Sequence, residues 1–146
     1  MKSVIGLALV ISVLIQHRRI VPTPAAGGLQ WGSCIHWKIY KETSFQRVFT
    51  LAVDTLSKMK YRNLNDDSIH FFLKRTDKIE GVNPVWMGCY LGSCEDKNGN
   101  VHKVIFGQYG GILYLQESKS YYEVRADERT NWHAYLSSVH MTLNKE

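Results

Sequence analysis

The chain has 146 residues, with 18 Lys and Arg against 13 Asp and Glu, and it is 45% apolar and 21% charged. It is too short for two ordinary domains, too apolar for a disordered chain, and too poor in Gly and Pro for a fibre. The formal charge of +5 invites a polyanionic partner, so it matters which basic residues belong to the finished domain.

Lys2 precedes an apolar run over residues 4–15, which gives way to a polar stretch with Pro22 and Pro24 and then to Ala25, Ala26, Gly27 and Gly28. This is the order of a secretory signal: basic start, apolar core, small residues at the cleavage point. The run falls short of the roughly 20 apolar residues that span a bilayer. His17, Arg18 and Arg19, just after it, are the feature most like an anchor flank. Residues 1–26 are therefore read as a secretory signal peptide and residues 27–146 as a single domain. Lys2, Arg18 and Arg19 leave with the leader, so 15 basic residues face 13 acidic ones and the net charge falls to +2. The composition-level case for nucleic-acid binding goes with them.

The mature chain opens with a strand, because Ile35, Trp37 and Ile39 alternate with His36, Lys38 and Tyr40. Thr43 and Gln46 then have the spacing of a capping box. Phe45, Val48, Phe49, Ala52, Val53, Leu56 and Met59 recur at helical intervals, predicting one long amphipathic helix with Lys58, Lys60 and Arg62 at its negative end. Residues 63–67 read as a loop. From Ser68, Ile69, Phe71 and Leu73 alternate with His70, Phe72 and Lys74, predicting a strand, and another follows over 85–91. Asp96-Lys97-Asn98-Gly99-Asn100 predicts a hairpin turn. Strands over 101–106, 112–116 and 121–125, separated by Gly110-Gly111 and Ser118-Lys119, complete an antiparallel meander. Residues 131–143 fit either period. Trp132, Tyr135, Leu136, Val139 and Leu143 suit a helix after a Thr130 cap, whereas His133, Tyr135, Ser137, Val139 and Met141 suit one face of a strand; the helix is preferred. The sum is an α+β domain, one long amphipathic helix packed on an antiparallel sheet.

Cys34, Cys89 and Cys94 all lie in the mature chain, in a compartment where disulfides form. One bridge and one remaining thiol is the simplest account. A bridge from Cys34 to Cys89 or Cys94 removes more loop entropy than a local Cys89–Cys94 staple and is preferred. No fourth ligand stands at a metal-binding spacing and no cofactor motif is present, so neither metal nor cofactor is expected.

Catalytic signatures are sparse. Glu123 and Arg125 sit two residues apart on one strand face. With His70 and His133 they can supply the base, acid and cation that phosphodiester cleavage through a 2′-hydroxyl needs. The same spacing also describes an exposed charge pattern with surface histidines. A protein without catalytic residues, which acts by binding, is the leading expectation, and a secreted ribonuclease is the alternative. Residues 74–85, 96–101 and 125–129 are the expected contact loops.

A secretory leader, an aromatic residue close to the first mature cysteine in Trp31-Gly-Ser-Cys34, one helix and an antiparallel sheet form a recognisable plan. It resembles the ribonuclease-like secreted effectors of powdery mildew fungi. In that family the mature chain begins near a Tyr/Phe/Trp-x-Cys motif. Here the spacing is one residue longer, and no cysteine follows Cys94. Tyr121-Tyr122-Glu123 is similar to the segment that carries the catalytic glutamate of fungal guanyl-specific ribonucleases, although the chain continues for only 23 residues beyond it. The resemblance implies a microbial-ribonuclease-like fold that has lost its catalytic set. It implies a monomeric virulence or avirulence protein, free of the membrane after signal cleavage. Such a protein enters host plant cells, binds host protein or host RNA, and is detected by a plant immune receptor. A cystatin-like inhibitor shares the helix-on-sheet plan, but its Gln-x-Val-x-Gly loop is missing here.

Overall fold

In a computed structural model of the chain, residues 31–81 and 83–145 are described; the expected signal peptide lies outside them. Among the described residues seven strands form one antiparallel sheet: β1 (Ile35–Tyr40), β2 (Tyr61–Asn63), β3 (Thr76–Ile79), β4 (Cys89–Glu95), β5 (Val101–Gly107), β6 (Ile112–Leu115) and β7 (Ser120–Val124). Their order across the sheet is β2-β1-β4-β5-β6-β7-β3. Among the described residues three α-helices accompany them: α1 (Phe45–Thr50), α2 (Asp66–Leu73) and α3 (Arg129–Leu143). The domain is α+β with an antiparallel sheet, as the residue pattern predicts, but its helices are distributed differently.

Both faces of the sheet are covered, because alternate residues of the central strands point to opposite sides. Tyr90 and Cys94 of β4, with Val104 and Phe106 of β5, meet Ile69, Phe72 and Leu73 of α2 and Trp132, Leu136 and Leu143 of α3. On the other side, Cys89, Leu91 and Ile105 meet Val48 of α1 and Leu56 beyond it. Trp37 and Trp132 are completely buried, and side chains of this size contribute about 2–3 kcal/mol each when removed from water.

The long helix expected over residues 43–62 is broken. Leu51 and Ala52 are extended, with ψ of 129° and 152°, and Val53–Lys58 continues as a 3-10 turn. Thr50 Oγ1 donates to the Gln46 carbonyl at 2.9 Å and Thr55 Oγ1 to the Ala52 carbonyl at 2.6 Å, so both hydroxyls compete for helical backbone groups. The opened Leu51 carbonyl accepts from Lys103 Nζ at 2.7 Å, which gives that buried ammonium a partner. Ser44, rather than Thr43, is the residue before α1, and it makes no side-chain cap. Val48, Phe49, Val53, Leu56 and Met59 still pack on one side of the sheet, and for that reason the period alone resembles one continuous helix.

The strand expected from Ser68 is helix α2. Asn65 Oδ1 accepts from Ser68 N at 2.9 Å, and Asp66 and Asp67 occupy the first turn, so the start is capped and dipole-matched. Ile69, Phe72 and Leu73 are its buried face, while Phe71 is exposed. The strand expected over 85–91 begins later, at Cys89, and part of the expected loop 74–85 pairs with β7 as β3.

The remaining elements follow the sequence pattern. The β4–β5 hairpin turns where Asn98-Gly99 stands, with Gly99 at φ +79° and the Asp96 carboxylate accepting from Asn98 N and Asn100 N. Residues 131–143 are helical, within α3, although the helix starts at Arg129 behind a short 3-10 turn (Ala126–Glu128) and not behind a Thr130 cap. The long helix of the domain is therefore the C-terminal one.

Candidate functional site

The four residues singled out for acid–base chemistry are held by different parts of the fold. His70, on α2, donates through Nε2 to the Cys34 carbonyl at 2.8 Å, an oxygen that also accepts from Trp37 Nε1 at 3.2 Å. His133, on α3, donates through Nδ1 to the Gln108 carbonyl, and its ring stacks on Tyr109 with centroids 4.8 Å apart. Glu123 pairs with Arg129 at 2.7 Å. Arg125 follows β7, and its backbone N donates to the Arg75 carbonyl at 2.9 Å. Tyr122 and Val124 point toward α2 and α3, so strand alternation turns Glu123 to the opposite face from the helices that carry the histidines. Each histidine tethers its helix to a main-chain carbonyl.

One polar cluster is not revealed by local sequence. His102, on β5, is bracketed by Glu117 Oε2 at 2.6 Å from Nδ1 and Asp96 Oδ2 at 3.1 Å from Nε2. Burial disfavours the charged ring, but the hydrogen bonds it donates to the Glu117 and Asp96 carboxylates outweigh that and raise the His102 pKa above its ordinary value. Hydrogen bonds from the Asn100 side chain and then from His102 hold Asp96 well below the usual carboxylate range. The cluster joins the β4–β5 turn to the β6–β7 turn. Among the described residues no group of three or more His, Cys, Asp and Glu side chains is placed to hold a metal ion.

A second polar feature is the bulge in β1 between Ile35 and Lys38. There His36 takes φ +52°, uncommon for a residue with a side chain, and its Nδ1 lies 3.1 Å from Glu95 Oε2. Lys38 Nζ shares Glu95 at 3.4 Å. These side chains and the start of α2 enclose an open, mixed-charge groove of about 550 Å³.

A partly exposed aromatic feature lies on the α1 side of the sheet. Phe45, Phe49, Trp86, Tyr121 and Tyr114 form a continuous row of rings, with successive centroids 4.8, 5.4, 6.5 and 4.6 Å apart. Phe45 at its end is exposed, as are Val85 and Met87 on either side of Trp86 in the chain. The row joins α1, the segment before β4, and strands β6 and β7, so no single stretch of sequence displays it.

The three cysteines are buried thiols. Cys34 and Cys94 lie in the same buried cluster on the α2–α3 side of the sheet, close enough to interact with one another, while Cys89 packs on the other side with Leu91 and Ile105.

No protein-family model, no curated protein and no solved structure matches the chain.

Proposed function

We propose that the chain is a secreted fungal virulence effector with a catalytically inactive, ribonuclease-like domain, which acts inside plant cells by binding a host protein. The observation that carries the non-enzymatic part is the separate engagement of the acid–base residues. His70 and His133 are spent on main-chain carbonyls of different segments, and Glu123 is ion-paired with Arg129. Phosphodiester cleavage needs a base and an acid converging on one substrate. Binding through the aromatic row is favoured by its composition, since exposed Phe45 and Met87 beside half-buried Trp86 and Tyr121 have the character of an interface centre. Host RNA is the second partner class, and recognition by a plant immune receptor is what the effector resemblance implies.

Secretion and the ribonuclease-like character rest on the leader, the Trp31-Gly-Ser-Cys34 motif and the sheet-and-helix plan. The direct test is to incubate the refolded protein with single-stranded RNA. RNA is expected to remain intact; cleavage that disappears in Glu123→Gln would establish the secreted ribonuclease instead.

A further inference from the structure

We infer that Cys34 and Cys94 are joined in a disulfide in the functional protein and that Cys89 stays a thiol. The pairing follows from strand register. Ile35 stands opposite Glu95 in the antiparallel β1–β4 pair, so Cys34 and Cys94, each one residue earlier, turn to the same face as diagonal neighbours. Both thiols lie in the same buried cluster, close enough to interact with one another. Cys89 is five residues before Cys94 on β4, an odd spacing that sends it through the sheet to pack against Leu91 and Ile105. The backbone at Cys34 is fixed from two sides, because its carbonyl accepts from both Trp37 and His70.

The chemistry is thiol–disulfide exchange with a donor of the glutathione-disulfide or oxidoreductase class. Either thiolate of the open chain can attack first, and with Cys34 leading the atoms balance. The Cys34 sulfur bonds to one donor sulfur and expels the other, which carries away the Cys34 proton as a thiol. Cys94 then attacks the Cys34 sulfur, its proton leaving with the second donor thiol. Two protein thiols are oxidised and one donor disulfide is reduced to two thiols. Because all three cysteines are fully buried, exchange takes place before the domain has closed.

The compartment in which the bond forms rests on the proposed secretion; the choice of sulfurs rests on the fold alone. The full chain, reduced and denatured, is refolded in a mixture of oxidised and reduced glutathione, alkylated under denaturing conditions, digested and mapped by mass spectrometry. The expected result is one linked peptide pair carrying Cys34 and Cys94, with Cys89 alkylated. The oxidised protein should melt on the order of 10 °C higher than the reduced one, a difference retained in Cys89→Ser and lost in Cys94→Ser. A linked peptide that contains Cys89, or refolded protein with Cys34 and Cys94 both alkylated, overturns the assignment. If Cys94→Ser fails to fold, the peptide map of the unsubstituted chain decides alone. Retention of the protein inside the producing cell would remove the secretion reading and leave this map unchanged.

Discussion

Arg129 holds Glu123 at 2.7 Å, a contact that ties strand β7 to the first turn of the long helix α3. Arg129 also donates through Nε to the Val124 carbonyl at 3.1 Å, so its planar head is fixed at two points. Both side chains are partly exposed, and such pairs contribute about 0.5–1 kcal/mol. Glu123→Gln is expected to lower the unfolding free energy by about that amount. Urea denaturation of both single variants and the double variant checks it, with the coupling vanishing once either partner is changed.

The His102 cluster gives stability a definite dependence on pH. His102 has a raised folded pKa, so its contribution is complete below the unfolded value of about 6.5 and is lost as pH rises through the folded one. Asp96 has a lowered folded pKa, so its contribution is present above the unfolded value of about 3.9 and is lost as pH falls. His140 acts in the opposite sense to His102. Burial lowers its pKa, and its neutral form is favoured until falling pH protonates the unfolded chain below about 6.5. The destabilisation caused by His102→Gln is therefore expected to be largest between about pH 4 and 6.5 and to shrink toward alkaline pH. Thermal melts of the two proteins across that range measure it.

Gly92 lies where β4 crosses under an aromatic ring. A Cβ there would collide with the Phe106 ring and come within 3.1 Å of the Lys38 carbonyl oxygen. The ring is fully buried and the carbonyl belongs to β1, so neither can move freely. Gly92→Ala is expected to cost about 2–3 kcal/mol through overpacking. A chevron series or equilibrium urea melt reads this directly.

The cap on α2 offers a milder test. Asn65 Oδ1 accepts from Ser68 N, and Tyr135 Oη of α3 accepts from Asn65 N at 2.9 Å. Asn65→Ala removes the first bond and leaves the second, so a loss of about 1 kcal/mol is expected. Asn65→Asp should recover most of it, since either side chain can cap; circular dichroism during urea unfolding compares the three proteins.

The parts of this fold that were legible in the sequence are those fixed by neighbours. Asn98-Gly99 turns the chain wherever the strands beside it are placed, and Trp132, Leu136 and Leu143 keep a helical period that packing on the sheet reinforces. Where two periods coincide, tertiary packing decides. Ile69 and Leu73 fit an alternating strand, but with Phe72 they also fit a helix face, and the Asn65 cap with Asp66 and Asp67 favours the latter. The break at Leu51-Ala52 was hidden because both halves present apolar residues to the same sheet face. β3 reads Thr-Asp-Lys-Ile and has no alternating apolar signal, since it is an edge strand recruited by β7.

The site was less legible than the fold for the same reason. Glu123 was visible as a carboxylate, but its partner Arg129 lies beyond the strand in a separate element. Asp96 and Glu117 flank His102 only because two turns meet at one end of the sheet. The aromatic row requires four separated segments to converge, and no local period records that convergence.

The position of β3 at the far edge carries a consequence for how the chain is made. Thr76 has no strand partner until Val124 has been synthesised, and the β1–β2 pair likewise waits for β4 before it can join the sheet. The meander from β4 to β7 can zip locally, whereas the two outer additions need loops of high entropy to close. Neither sheet margin can therefore close on the nascent polypeptide until the central strands have emerged, and the far edge is made by sewing an early segment onto a late one.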